Sequence, residues 1–277
     1  NRKLMRQRSR AEAQAYERLE SRHLLATITW DGGGVDPTVW GDPQNWVGDV
    51  LPGAADDAVL DVAGDSTITI SSNQTVNSVV SAEPITITGG TFDVTTTIQV
   101  NNTFTIAGGT LANANVLEGT GGEGVEFNNS SANRLDGVTV EGELLLSASF
   151  AYAGLVNGTT FETARLTGYD SELAVDSSTP ITGTVIFDGT GNTASNRSLI
   201  SLDSGTITIA ASGIVETSTS YAAAETFVGT NATLVDNQGI IRSQANAESI
   251  SIRGSQLTND GTLTSTAGTL NIGGTFV

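Results

Sequence analysis

The chain has 277 residues, enough to bury a sizeable core, and contains 32 Gly, 5 Pro, one His, no Cys and only 5% aromatic residues. Its formal net charge of −18 joins two unlike parts: residues 1–26 carry seven Arg/Lys and three Glu, whereas residues 27–277 carry five Arg, no Lys and 27 Asp/Glu. Lack of Cys excludes disulfides and thiolate chemistry. Lack of His and Lys beyond residue 26 excludes Ser–His–Asp catalysis, His-rich zinc centres and Lys Schiff bases from the acidic part.

The basic part comes first. Ser9 and Glu12 form an S-x-x-E capping box ahead of "AQAYERLESRHLLA". Ala11, Ala15, Leu19 and His23 fall four apart on one thin apolar stripe. Residues 1–26 therefore read as a short basic helix or a disordered segment, too weakly amphipathic to stand alone. "LLATITW" is too short and too polar for the apolar core of a secretory signal. No run of about 18 apolar residues exists, so this chain is not expected to insert in a membrane. The opening on Asn1 and the stop at "GGTFV" in mid-pattern suggest a fragment of something longer.

Residues 27–62 hold all three Trp (Trp30, Trp40, Trp46), three of the five Pro, and the turn signals "DGGG", "GDPQN" and "LPG". Such a cluster marks a locally packed module. It reads either as a hydrophobic cap on the end of a β structure or as an aromatic platform for carbohydrate. Trp is more often buried than displayed, which favours the cap.

From residue 63 to residue 277 the pattern is short strands and turns. "STITI", "ITITGGTFDV", "FTIAGGTL", "GTITIAASGIV" and "GTLNIGGTFV" alternate β-branched and polar residues with period two. "SYAAAETF", from Ser220 to Phe227, is the only helix candidate in this part. The context of Gly89 returns at Gly108, and "NQGII" at Asn237 returns as "NDGTL" at Asn259. A repeat of about 20 residues is the length of one β-solenoid coil. The expected fold is all-β: a right-handed parallel β-helix of about ten coils stacked at about 4.8 Å, closed at its N-terminus by the cap. Paired antiparallel sandwiches are the alternative, but they call for bulkier inward residues.

Two resemblances bear on this organisation. "RLESRHLLA" resembles the N-terminal LEPR-x-LL motif of very large planctomycete surface and extracellular proteins, matching at Leu19, Glu20, Arg22, Leu24 and Leu25, with Ser21 in place of the motif's Pro. That resemblance implies a sorting or processing segment. The stretch from Thr29 to Asp61 is similar to the opening module of autotransporter-passenger and adhesin β-solenoids. The shared pattern falls on Trp30, Trp40, Asn45, Trp46, Pro52 and Asp57. It implies a cell-surface or extracellular rod and carries no catalytic residue.

The chemistry left to the acidic part is that of carboxylates. Asp188, Glu216 and Asp236 are candidates for a glycosidase pair, among many surface acids. Arg134, Arg165, Arg197, Arg242 and Arg253 are scattered along the sequence, with no acid cluster beside them. "GTGGEG", from Gly119 to Gly124, lacks the strand–helix context of a nucleotide fingerprint. "DDAVLDVAGD", from Asp56 to Asp65, is the densest acid cluster; it allows Ca2+, but its alternation fits an acid-flanked strand. No cofactor is otherwise expected. The acidity opposes nucleic acid. The leading expectation is a non-enzymatic structural or adhesive module for a surface, matrix or polysaccharide ligand. A carbohydrate-active β-helix enzyme and a calcium-dependent binding module are the alternatives.

Overall fold

The computed structural model of the protein describes residues 26–64, 66–188, 196–219, 225–244 and 249–277. The expected basic helix and its capping box lie outside these residues. The described chain is a β-solenoid of about ten coils with three faces, the seventh coil meeting the first face only through the bridge of Ile181 to Ile209. The first coil consists of Asp56–Leu60, Ile68–Ile70 and Gln74–Val76, one strand per face. The strands named in these ladders pair in parallel, and the one antiparallel bridge among the described residues joins Trp30 to Trp46 within the cap. The sandwich alternative is thereby excluded.

The period-two sequences form these strands because alternate residues enter the interior. On the second face Ile68, Ile85, Phe104, Val125, Leu144, Ala164, Val185, Val215, Ile241 and Leu263 stack one above another. All but Leu263 are buried, and Leu263 packs against the core from the last complete coil. In the fifth and sixth coils the first- and second-face strands fuse into Thr139–Leu146 and Thr160–Leu166, with an irregularity in register between Val140 and Glu143 where the chain rounds the corner.

Coil length varies more than the sequence repeat suggests. Ile98 stacks on Val116 over a short coil, whereas the coil that carries Val185 onto Val215 is far longer. Corners absorb the difference because they run over the surface, where added length costs little closure entropy. Between the second and third faces the early coils connect Ile87 directly through 88–90 to Thr91, whereas later coils run from Phe187 to Arg197 and from Thr217 to Glu225. "SYAAAETF" straddles one such corner: Glu225–Val228 is a strand, and residues 220–224 lie outside the described residues.

Two devices hold the corners in register. Where the third face turns into the first, three Asn each donate to an Asp about one coil earlier: Asn77 Nδ2 to Asp57 Oδ1 at 2.7 Å, Asn113 to Asp93 at 2.9 Å and Asn157 to Asp136 at 2.6 Å. Asn113 and Asn157 adopt φ of 59° and 55°, a left-handed conformation that Asn tolerates. Where the first face turns into the second, the repeated Gly of "NQGII" and "NDGTL" is required by space. A Cβ on Gly239 would sit 2.3 Å from the Gly213 carbonyl oxygen, and one on Gly261 would sit 2.2 Å from that of Gly239. Gly239→Ala is expected to destabilise the rod by about 1–3 kcal/mol, the usual cost of overpacking. Urea titration checks this; an unchanged midpoint would show that the coils part freely at that corner.

The cap covers the first coil. Ala26–Thr29 pairs with Asp56–Leu60, and Val39 bridges to Thr69, so the leading edges of the first two faces are both occupied. Stacking thus begins at Asp56, ahead of the expected boundary at residue 63. Trp30, Trp40 and Trp46 are at most 1% exposed and close the lumen as edge-to-face pairs, with centroids 4.9 Å apart for Trp30–Trp46 and 4.7 Å for Trp40–Trp46. Trp40 also meets Phe92 of the second coil at 4.9 Å. Asp42 caps the 3-10 turn Pro43–Asn45, which delivers Asn45 to the centre of the loop. There Asn45 Nδ2 donates to the carbonyls of Asp36 and Val39 at 2.8 and 2.9 Å, and Oδ1 accepts from Gly34 N at 2.9 Å. Asn45→Ala would remove three part-buried hydrogen bonds, each contributing about 1 kcal/mol. Hydrogen exchange is expected to accelerate in Ala26–Thr29 and Ile68–Ile70 while the later coils keep their protection; uniform protection would mean that the loop does not hold the cap.

Candidate functional face

The motif positions divide between described and undescribed residues. Leu19, Glu20, Arg22, Leu24 and Leu25 lie outside the described residues, as does His23. Trp30, Trp40, Asn45, Trp46 and Pro52 are all buried in the cap, so the three indoles present no platform to solvent. Asp57 points outward on the first face, where it accepts from Ser78 Oγ at 2.6 Å and from Asn77. The Ser78 hydroxyl and then the Asn77 amide hold its carboxyl below the usual carboxylate range. Within "DDAVLDVAGD", Asp56–Leu60 is a strand with Ala58 and Leu60 inward, and Asp56 accepts from Gly53 N. Among the described residues no three His, Cys, Asp or Glu side chains are grouped as a metal centre requires.

The arginines, scattered in sequence, find individual acid partners in the stacked coils. Stacking brings together charges one coil apart in sequence. Arg165, on the sixth coil, donates from Nε to Glu143 of the fifth at 2.7 Å and from Nη1 to Asp188 of the seventh at 3.0 Å. Asp188 also accepts from Ser218 Oγ of the eighth coil at 3.0 Å. Arg242 pairs with Glu216 on the second face and Arg253 with Glu225 on the third, both between the eighth and ninth coils. Glu143, Arg165, Asp188 and Ser218 thus staple four successive coils along the second face. Single exposed pairs of this kind contribute little, but a chain of them resists relative sliding. Asp188 and Glu216 are engaged by these arginines, and Asp236 accepts from Gln238 Nε2 at 2.8 Å.

The third face carries a different cluster. Tyr152 and Glu172 are outward neighbours in register. Gly154 leaves room for the Arg134 guanidinium: a Cβ there would lie 2.6 Å from Arg134 Nη1. That nitrogen donates to the carbonyls of Ser131 and Asn133 at 2.8 and 2.7 Å, which holds the guanidinium 5.5 Å over the Tyr152 ring. Burial pushes the Tyr152 hydroxyl and the Glu172 carboxyl upward, the latter despite a long hydrogen bond from Ser198 Oγ. Arg197, in the next strand, is fully buried and donates to the Thr167 carbonyl at 2.8 Å. "GTGGEG" is a tight turn between two strands, in which Gly122 N donates to the Gly119 carbonyl and Gly121 N to Glu123.

Compared with known proteins, the chain matches no protein family, no curated protein and no solved structure. Sequence reasoning missed the Arg165 staple and the Tyr152–Glu172 neighbours, because a coil length that varies from turn to turn hides which residues stack.

The raised Glu172 has a definite pH signature. Its folded state binds a proton more tightly than its unfolded state, so its ionisation weakens the fold as pH rises through the interval from the ordinary glutamate value upward. Glu172→Gln is expected to raise the urea midpoint at pH 7 and to change it less at pH 3.5. An equal change at both pH values would show that the carboxyl is not destabilised by burial.

Proposed function

We propose that this chain is a structural, adhesive module of a large bacterial cell-surface or secreted protein, a stiff acidic rod that displays its faces to a surface, matrix or polysaccharide ligand. The observation that carries this reading is the continuous three-faced solenoid, closed at one end by the Trp cap and cross-stapled over several coils by Arg165 and its acids. Every coil is hydrogen-bonded to the next along its strands, so bending requires many backbone bonds to lengthen together. The acidic exterior keeps a long surface soluble and apart from its neighbours. The engagement of Asp188 and Glu216 in ion pairs supports a structural rather than a catalytic use of those acids. The resemblance of residues 18–26 to a surface-protein sorting motif agrees with display outside the cell.

Immunolabelling of intact cells tests the reading. Antibody raised against residues 27–277 is expected to label unpermeabilised cells or their shed matrix. Signal that appears only after permeabilisation would overturn it.

A further inference from the structure

The corner between the second and third faces is turned by glycine in the early coils. Gly90 has φ of 67° and Gly108 has φ of 127°, each just ahead of its third-face strand. In the fifth coil the left-handed residue at this corner is Phe150, with φ of 59°, and in the sixth it is Asp170, with φ of 48°. A bulky aromatic side chain in this region is an outlier and costs about 1–2 kcal/mol relative to Gly. The interior does not repay that cost, because Phe150 is 53% exposed. Its backbone is fixed instead: Phe150 N donates to the Tyr169 carbonyl at 2.6 Å, and Ala151 N to that of Ala148 at 3.1 Å. The two turns nest closely, since a Cβ on Gly168 would meet the Ala148 oxygen at 2.0 Å. As a result the Phe150 and Tyr169 rings lie 5.4 Å apart at 71°, on successive coils.

We propose that Phe150 and Tyr169 form the aromatic platform of a binding site for an uncharged glycan, with the half-buried Tyr152 and Glu172 as its hydrogen-bonding flank. This rests on the reading of the chain as an adhesive module and names its ligand class. An aromatic ring presents a negative π face, to which the weakly positive axial C–H groups of a pyranose are complementary. A tyrosine hydroxyl and a carboxyl beside it suit the sugar's hydroxyls, and Arg134 holds the Tyr152 ring in place. A protein partner needs an apolar core of several hundred Å2, which two rings set among polar residues do not supply. The acidity of the body and the carboxylates Asp170 and Glu172 at the site disfavour uronate-rich chains. Strain held at an exposed position is intelligible when the strained side chain is needed there.

Retention of residues 1–277 on insoluble cellulose, mannan, xylan and starch tests the site, with alginate as the anionic comparison. Retention on at least one neutral glycan is expected. Phe150→Gly and Tyr169→Ala should each reduce it at least tenfold, while Phe150→Gly leaves Tm unchanged or raises it because glycine relieves the left-handed strain. Three results would overturn the proposal: no neutral glycan retained, both variants retained like the parent, or a lower Tm for Phe150→Gly, which would make the ring a structural element. Adhesion of the parent and of Phe150→Gly to intact cells, without retention on any neutral glycan, would also remove the site and point to a protein ligand. That result leaves the adhesive reading standing. Conversely, glycan retention by a protein that labels only permeabilised cells would leave the site standing and remove surface display.

Discussion

Backbone N–H and carbonyl groups of each coil bond to those of the coils before and after it, and this parallel ladder fixes where everything else goes. With the strands in register, a residue's vertical neighbours are its counterparts in the coils above and below. Inward positions stack on one another and are mostly apolar, as in the column from Ile68 to Leu263, although Ser171 and Arg197 stack as buried polar neighbours on the third face. Outward positions meet partners about one coil length away in sequence. The Asn–Asp corner pairs and the Arg165 staple are both consequences of that single arrangement.

The same ladder makes the ends and the corners special. An uncovered first coil would expose strand edges and a lumen, and edges of this kind recruit other chains. The cap answers both needs with one short segment: Ala26–Thr29 and Val39 occupy edges, and three indoles fill the lumen. Corners are freer, because the ladder constrains only the strands. Length accumulates there, and so does unusual chemistry: the corner that glycine turns in the second and third coils presents Phe150 and Tyr169 in the fifth and sixth.

Local chemistry on such a scaffold comes from what stacking juxtaposes. Asp188 illustrates this. Alone it is one acid among many; in place it joins Arg165 of the previous coil to Ser218 of the next. Glu172 gains its raised proton affinity in the same way, from burial between neighbouring coils. A rod built by repetition thus acquires local character where successive coils differ.

Sequence by itself determined the all-β solenoid, the number of coils and the existence of a distinct Trp-rich module. These depend on period-two alternation, a recurring coil length and residue composition, all of which are local or nearly so. The repeated Gly of "NQGII" and "NDGTL" was legible as a repeat, but its cause, a carbonyl 2.3 Å from a Cβ added at Gly239 and 2.2 Å from one added at Gly261, belongs to the stacked coils. Tertiary structure alone decided the pairing of the arginines and the display of Phe150 beside Tyr169. Coil length changes from one turn to the next, as the steps from Ile98 to Val116 and from Val185 to Val215 show, so a partner one coil away cannot be found by counting. The sign of φ at Phe150 is set by the corner it must turn, a constraint imposed by neighbouring coils and absent from its own flanking residues.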